Sequence, residues 1–360
     1  MGDSTWDKEV IDRLNSKIVA HRNFKLARAR LNAAILVRQL GECIVLTGPS
    51  RNGKTTIVKE VEKLHNGTDT DALLTKRPVV RFTARNKSDR GQFTTRTFYL
   101  SALKSIRHPF FTLTGTDLVE NFAKIKRMNT ESNDTLVDVF ENALEVLSTR
   151  YLIVDETHHL RYLVGGDASA CKVLESLKTL AESVGCVIIF VGAYPILDVI
   201  KLAPHILGRE YPIDLPRYQA TARSDMLEFE RILSSFSKGI EFEKGVSSLR
   251  DWNDVLFDGS LGVPGLLSAW VRNAISEMQA RGESRLRLAH VKHSRKPIRD
   301  RKELLAEIEA GELYMDQSQD DEELDPKQKA SEKASEEDKK PKRKGAFQAN
   351  PKRRKAGGRS

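Results

Sequence analysis

The sequence predicts an α/β protein: a five-stranded parallel sheet with helices on both faces, followed by a small all-α domain and a charged tail. Three observations lead to this fold class. Short apolar runs alternate with helical stretches, a glycine-bearing loop follows the first run, and only helical patterns follow Pro216. Alternation of strands and helices is typical of a parallel sheet that is covered on both faces.

Five short apolar runs form the predicted sheet, each with the length and composition of a buried strand. They are residues 43–47, 79–84, 150–154, 186–191 and 210–215. The other segments carry apolar residues at helical spacing. The predicted helices lie within 6–40 and near 97–106, 116–127, 135–147, 221–236, 246–257, 264–281 and 286–294. All the strands therefore precede Pro216.

These patterns divide the chain into four predicted parts. They are an N-terminal helical segment at 1–40, a nucleotide-binding α/β domain at 41–217, a helical lid domain at 218–298 and a tail at 299–360. Within the tail, residues 316–338 are acidic and residues 339–359 are basic. Such a composition buries too little apolar surface to offset the entropy of ordering, so we expect the tail to be mostly disordered.

Composition narrows the class of protein. The chain has 360 residues, 39% of them hydrophobic, and a formal net charge of +9, which modestly favours a polyanionic partner. Its three cysteines are scattered without a C-x-x-C pair, which argues against a zinc site and favours a reducing compartment. No apolar run approaches the roughly 20 residues of a membrane span, and the N-terminus lacks the pattern of a signal peptide. We expect no membrane partner.

A phosphate-binding loop of the form G-x-x-x-x-G-K-[ST] follows the first strand. Its residues are Gly48, Pro49, Ser50, Arg51, Asn52, Gly53, Lys54 and Thr55, with Thr56 in the helix behind it. The glycines permit a tight turn that directs a helix N-terminus toward an anion. Lys54 can then reach the β- and γ-phosphates, and the Thr55 hydroxyl can bind Mg²⁺. A turn that matches by chance is the alternative, and the strand and helix around the loop argue against it.

Two carboxylates, Asp155 and Glu156, end the third predicted strand. In P-loop ATPases the first acid lies beside Mg²⁺ and the second lies near the γ-phosphate. We therefore assign Asp155 to the metal and Glu156 to polarising the attacking water. Acid pairs at strand ends also cap the following helix, but the upstream loop favours the catalytic interpretation.

Other motif matches are weaker. Residues 155–158 match the D-E-x-H box of helicases, yet no second nucleotide-clamping domain follows. Residues 86–89 match the guanine-reading N-K-x-D motif but precede the Asp155 strand, so we favour ATP over GTP. His158 and His159 are adjacent, and adjacent helical residues point about 100° apart. We expect them to pack rather than to bind a metal.

Three segments resemble the TniB/TnsC group of AAA+ ATPases, which regulate DNA transposition. They are Gly48–Thr56, Val154–Leu160 and Pro212–Pro216, within a resemblance over roughly residues 20–270. The resemblance implies ATP and Mg²⁺ as cofactors and ATP-bound rings or filaments on double-stranded DNA. It also implies a transposase subunit and a TniQ/TnsD-like target-selector protein as partners. Slow, assembly-dependent hydrolysis to ADP and phosphate would then disassemble the polymer, in the bacterial cytoplasm at the nucleoid.

The resemblance also assigns residues, with two departures. Arg209, just before the last strand, matches the arginine that AAA+ proteins present to a neighbour's γ-phosphate, although a plain surface arginine is the alternative. The polar sensor expected after the fourth strand is missing, and Tyr194 is the first hydroxyl there. The lid sensor arginine is missing from Gly262–Gly265, with Arg272 as a substitute candidate. Both departures favour slow or partner-dependent turnover.

A polar, basic stretch follows the second strand, the element that lines the pore of ring-forming AAA+ proteins. Its candidate DNA contacts are Arg85, Lys87, Arg90, Thr94, Thr95 and Arg96. Such side chains bind phosphate oxygens without reading sequence, and a solvated surface loop is the alternative. The basic tail is a second candidate for DNA, or for the transposase.

The sequence therefore predicts an ATP-dependent, sequence-nonspecific DNA-binding regulator of transposition. A replication initiator or helicase loader of the AAA+ class is the alternative. A small-molecule P-loop kinase is less favoured, because Glu156, Arg209 and the helical domain after the sheet do not fit it.

Overall fold

The computed structural model describes residues 20–39, 42–69, 72–84, 93–113, 118–208 and 210–323. Within these ranges, side chains are described as far as residue 316, apart from those of Leu74, Leu118, Glu120 and Leu207. The expectations for 1–19 and for the charged tail beyond Glu323 lie outside these residues.

Five parallel strands form one sheet, in the order β2-β3-β4-β1-β5. They are β1 (Cys43–Thr47), β2 (Val79–Thr83), β3 (Tyr151–Asp155), β4 (Val187–Val191) and β5 (Glu210–Asp214). Each predicted apolar run corresponds to one of these strands within one residue, and β1 and β4 are buried along their whole length. The predicted fold class is confirmed.

Helices cover both faces of the sheet and continue after it. Up to β5 they are α1 (Arg22–Val37), α2 (Lys54–Asn66), α3 (Thr95–Ser105), α4 (Leu118–Thr130), α5 (Asn133–Val146), α6 (Gly166–Val184), α7 (Ile196–Lys201) and α8 (Pro204–Leu207). After β5 they are α9 (Arg223–Ser237), α10 (Asn253–Ser260), α11 (Pro264–Ala280), α12 (Leu288–His293) and α13 (Ile298–Glu323). Short 3₁₀ helices lie at Ala72–Leu74, Thr157–Tyr162 and Leu249–Trp252.

Two hydrophobic clusters among the described residues bear on the position of the site. The first joins one face of the sheet to α1 and α2, where Phe24, Leu31 and Ile57 are buried against strand residues such as Ile44. The second lies among the helices after β5 and includes both Trp252 and Trp270. Burying a large apolar side chain contributes about 1.5–3 kcal/mol to the free energy of folding, so each cluster stabilises the packing of the elements that form it.

Helix α13 lies where the sequence predicted the beginning of a mostly disordered tail, at residue 299. The structure differs from that expectation because Ile308 is buried and Arg301 pairs with Asp258 at 3.0 Å. The chain divides between Leu313 and Tyr314 into two compact units, and α13 begins in the first. In the second unit, the described residues are the last turns of this helix. The other predicted domain boundaries stay predictions.

Candidate nucleotide site at the carboxyl edge of the sheet

The carboxyl ends of the parallel strands bring the two predicted motifs together. β1 leads into Gly48, β3 ends at Asp155, and β4 lies between these two strands. Ligands of open α/β sheets bind at this edge, where loops leave the carboxyl ends of the strands. Residues about 100 positions apart in sequence, such as Thr55 and Asp155, therefore become neighbours.

The phosphate loop depends on two glycines. Gly48 has φ +138°, and a Cβ there would lie 2.4 Å from the carbonyl oxygen of Leu215. Gly53 has φ +102° and precedes the first residue of α2, Lys54. Both positions exclude ordinary side chains, so the loop turns tightly and places the α2 N-terminus beside β1.

Lys54 is buried inside its own loop. Its Nζ donates to the carbonyl oxygens of Gly48 at 2.8 Å and Pro49 at 2.7 Å. Burial lowers the pKa of Lys54 to about 8, and the nearby Glu156 and Asp155 oppose that effect. The ammonium is thus held where a phosphate could replace the two carbonyls as its partner.

Asn52 fastens the loop to the end of β5. Its Nδ2 donates to the carbonyl oxygens of Leu215 at 2.6 Å and Pro216 at 3.1 Å, and the side chain is buried. The sequence assigned Asn52 to the loop but gave no sign of these long-range bonds. They explain why the Pro212–Pro216 segment belongs to the site.

Thr55 and Asp155 form an oxygen-rich pair suited to a hard cation. The Thr55 hydroxyl donates to Asp155 Oδ1 at 3.3 Å, and Arg81 Nη1 lies 3.7 Å from the other carboxylate oxygen. Burial raises the pKa of Asp155, while Thr55 and Arg81 lower it. Hydroxyl and carboxylate oxygens are the ligands that Mg²⁺ prefers, so these residues fit the metal predicted from the sequence.

Glu156 has a strained backbone. Its φ of 57° and ψ of 36° lie in the left-handed region, and its N–H donates to Asp155 Oδ1 at 3.0 Å. Non-glycine residues held in this conformation concentrate at functional sites. The strain turns the chain sharply after β3 and leaves the Glu156 carboxylate partly exposed beside the site.

The two histidines after Glu156 contact the site differently. His158 Nδ1 lies 3.5 Å from Glu156 Oε2, and burial lowers the pKa of His158 to about 4, so the ring is neutral near pH 7. His159 Nδ1 donates to the carbonyl oxygen of Ala84 at 2.9 Å. Glu156, His158 and His159 could each offer a ligand atom within 4.8 Å of the others. Both histidines, which we expected to pack rather than to bind a metal, therefore lie close to Glu156.

Tyr194 lies three residues after the end of β4. Its hydroxyl donates to Asp214 Oδ1 at 3.1 Å, and burial raises the pKa of Asp214 to about 6. Asp214 also lies within electrostatic range of Lys54. The sequence identifies Tyr194 as the first hydroxyl after β4, but it does not predict the hydrogen bond from Tyr194 to Asp214 at the end of β5.

The lid helix α11 begins directly against the phosphate loop. A Cβ on Gly265 would lie 1.7 Å from the carbonyl oxygen of Arg51, so the two backbones are in close contact. Arg272 lies about two turns further along α11 and is half-buried. The Gly262–Gly265 segment thus meets the loop through its backbone.

Helix α13 adds residues that no motif marked. Glu307 lies within electrostatic range of Lys54, and Glu312 forms a two-bond ion pair with Arg217 at 2.9 and 3.0 Å. Gly311 packs against the ring of Tyr194. The helical spacing of Leu304 and Ile308 was the one sequence signal that could have revealed this helix.

The predicted DNA contacts are only partly described. Arg85, Lys87, Arg90 and the predicted arginine finger Arg209 lie outside the described residues. Thr94 caps α3 by accepting from the Thr97 N–H at 3.2 Å, and Thr95 is half-buried in the first turn. Arg96 donates to the carbonyl oxygens of Met128, at 3.0 Å, and Glu131. Thr94 and Arg96 therefore have roles within the fold, and DNA contact by all three side chains stays a prediction.

Comparison with solved structures supports the fold. Two structures of the Aeropyrum pernix ORC2 protein, an ADP form and ADPNP–ADP complexes, align with TM-scores of 0.53 and 0.51 at 16% identity. Each alignment covers 80% of this chain and 72% or 71% of the other. No curated protein matches the chain. Among the described helices, none combines the length and apolar character needed to cross a membrane.

The family comparison agrees with the motifs. The profile of the family described as Bacterial TniB protein matches residues 15–220, more than half of the chain. The matched region contains the phosphate loop, the Asp155-Glu156 pair and the Pro212–Pro216 segment. The chain therefore belongs to the TniB family and has the AAA+ P-loop ATPase fold.

Proposed function

We propose that this protein is an ATP-dependent, sequence-nonspecific DNA-binding regulator of transposition. In this proposal, ATP binding assembles the chain as a ring or filament on target DNA. The assembly links a TniQ/TnsD-like target selector to the transposase subunit, and slow hydrolysis releases the DNA.

One observation carries the nucleotide part of the proposal. The buried Lys54 and the Thr55–Asp155 pair converge at the same edge of the sheet, with the strained Glu156 beside them. These are the positions that bind phosphates, hold Mg²⁺ and orient the attacking water in P-loop ATPases. Membership of the TniB family supports the transposition part.

Each residue has a defined task in this proposal. Lys54 exchanges its two carbonyl partners for the β- and γ-phosphates, and Asn52 keeps the loop against β5 while it does so. Mg²⁺, held by Thr55 and Asp155, would neutralise phosphate charge. Glu156 polarises the water that attacks the γ-phosphate.

Assembly and DNA contact depend on residues outside the described part of the chain. Arg209 of one copy is proposed to reach the γ-phosphate held by the next, which makes hydrolysis depend on assembly. Arg85, Lys87 and Arg90 are proposed to follow the DNA backbone. If so, replacing Lys87 and Arg90 with alanine lowers DNA affinity and makes it less sensitive to salt.

Electron microscopy with linear DNA tests this function. Rings or filaments are expected with ATP and not with ADP or without nucleotide. Lys54→Ala is expected not to assemble, while its control Lys59→Ala, an exposed lysine of the same helix, assembles normally. Glu156→Gln is expected to assemble and to persist, because it binds ATP without hydrolysing it.

Three outcomes would contradict the proposal. A monomer that ignores nucleotide would remove the assembly step. Recovery of a replicative helicase rather than a transposase in a pull-down would favour the helicase-loader alternative. Phosphoryl transfer to a small acceptor by a monomer would favour the kinase alternative.

A further inference from the structure

Helix α13 lies against the nucleotide site through a short stretch of residues. Ile308 is buried, and a Cβ on Gly311 would lie 2.0 Å from Cγ of Tyr194. Tyr194 in turn donates to Asp214 at the end of β5. The helix is therefore in direct contact, at Gly311, with the segment that leaves the carboxyl end of β4.

One ion pair holds this contact. Arg217 Nε and Nη2 donate to the two carboxylate oxygens of Glu312 at 2.9 and 3.0 Å, and Gln219 Nε2 donates to Oε1 at 3.1 Å. The Arg217 and Glu312 side chains are 13% and 16% exposed, so water screens the pair weakly. Two-bond arginine–carboxylate pairs fix geometry as well as supplying energy.

The apolar contribution to the contact is small. Between Ile298 and Leu313, only Ile308 and Gly311 are buried. By comparison, α11 buries eight of its 17 residues. Segments with few buried apolar contacts open at low free-energy cost, so residues 304–313 of α13 are held by less buried apolar surface than α11 is.

The charge that α13 brings opposes a bound nucleotide. Glu307 lies within electrostatic range of the Lys54 ammonium, where Asp155, Glu156 and Asp214 also act. These acids stabilise the charged lysine. Phosphates bound to Lys54 would meet Glu307 as a like charge, and a triphosphate carries more negative charge than a diphosphate.

We propose that α13 is an autoinhibitory helix, held by the Arg217–Glu312 pair, that competes with triphosphate binding and leaves the carboxyl edge when ATP binds. The proposal rests on nucleotide binding at Lys54, and it adds a regulatory step to that function. Departure of α13 frees the Arg217 guanidinium and uncovers Tyr194.

Binding measurements on the full chain test the electrostatic part. Fluorescent ATP and ADP analogues are titrated, with Mg²⁺, into wild type, Glu307→Gln, Glu312→Gln and Glu309→Gln. Glu309 is exposed on the same helix and serves as the matched control. Glu307→Gln and Glu312→Gln are expected to bind the ATP analogue about three- to tenfold more tightly, with a smaller gain for ADP. Glu309→Gln is expected to match wild type.

Hydrogen exchange tests the movement itself. Exchange of residues 304–313 is expected to rise when wild type binds ATP, and to be high without nucleotide in Gly311→Leu, whose side chain cannot fit beside Tyr194. Exchange across the strands reports whether a variant has unfolded globally. Unchanged exchange in 304–313 with ATP bound, or equal affinities for all three glutamine variants, would overturn the autoinhibitory role. Absence of ATP binding by every form would instead overturn the proposed function.

Discussion

The phosphate loop and helix α13 both lie beside Lys54, yet they are built in opposite ways. The loop is eight consecutive residues, held by glycine conformations and by hydrogen bonds to backbone carbonyls. The polar contact of α13 joins Glu312 to Arg217 and Gln219, which lie about 95 residues earlier in the sequence. It is mainly ionic. The phosphate loop is thus a fixed part of the site, while α13 is held there by contacts that can be broken without unfolding the sheet.

The largest expected effect is at the fixed element. Lys54→Met should lower nucleotide affinity by about 100-fold or more, because charge-assisted bonds to phosphate are lost from a buried site. Titration of a fluorescent nucleotide measures the loss. Lys59→Met is the control, and a variant Lys54→Met that binds normally would show that the loop is not the phosphate site.

A pair of glycine substitutions compares the two regions directly. Gly48→Ala places a Cβ against a backbone carbonyl at positive φ, and should lower the free energy of unfolding by about 2–4 kcal/mol. Gly311→Ala places a Cβ 2.0 Å from Cγ of the buried Tyr194, so we expect α13 to separate locally, with a loss of global stability no larger than the free energy of its contact and with raised exchange in α13. Denaturant unfolding and hydrogen exchange measure the two results. Equal losses of stability would contradict the distinction.

Asn52→Ala tests the attachment of the loop to β5. The two buried bonds to Leu215 and Pro216 are lost, so the free energy of unfolding should fall by about 1–3 kcal/mol. Asn142→Ala is the matched control, since its amide donates to a backbone carbonyl on the protein surface. A loss no greater than that of the control would mean that the loop does not need this attachment.

The smallest expected effect is on pH dependence. Because burial lowers the pKa of Lys54 to about 8, binding a phosphate above that pH requires uptake of a proton. Nucleotide affinity should therefore fall as pH rises from 8 to 9.5, with a slope approaching tenfold per unit. Lys54→Arg, which stays charged, should remove that slope. A wild-type affinity that stays constant over this range would place the lysine's free-state pKa higher.

The comparison also shows what the sequence could predict. The strands and the loop were predictable because buried parallel strands are continuous apolar runs and the loop motif is contiguous. Asp155 and Glu156 followed from the end of one such run. Their position beside Thr55 required only the rule that parallel strands share a carboxyl edge.

Helix α13 and the partners of Asn52 and Tyr194 were not predictable in the same way. Between Ile298 and Leu313 the sequence is rich in charged residues, as in a charged tail, and only Ile308 and Gly311 are buried. The order of α13 depends on Arg217 and Tyr194, which lie far away in the sequence. The spacing of Leu304 and Ile308 fits a helix, but it does not show which distant residues that helix contacts.

The contact between Gly265 and Arg51 gives the lid a mechanical role that does not require a sensor side chain. Because backbone meets backbone there, any shift of the loop at Arg51 must displace the first turn of α11. That helix contributes many residues of the hydrophobic cluster among the helices after β5, including Trp270. A displacement of α11 would therefore also displace the residues packed against it. The close contact of these two backbones thus connects the phosphate loop to that cluster.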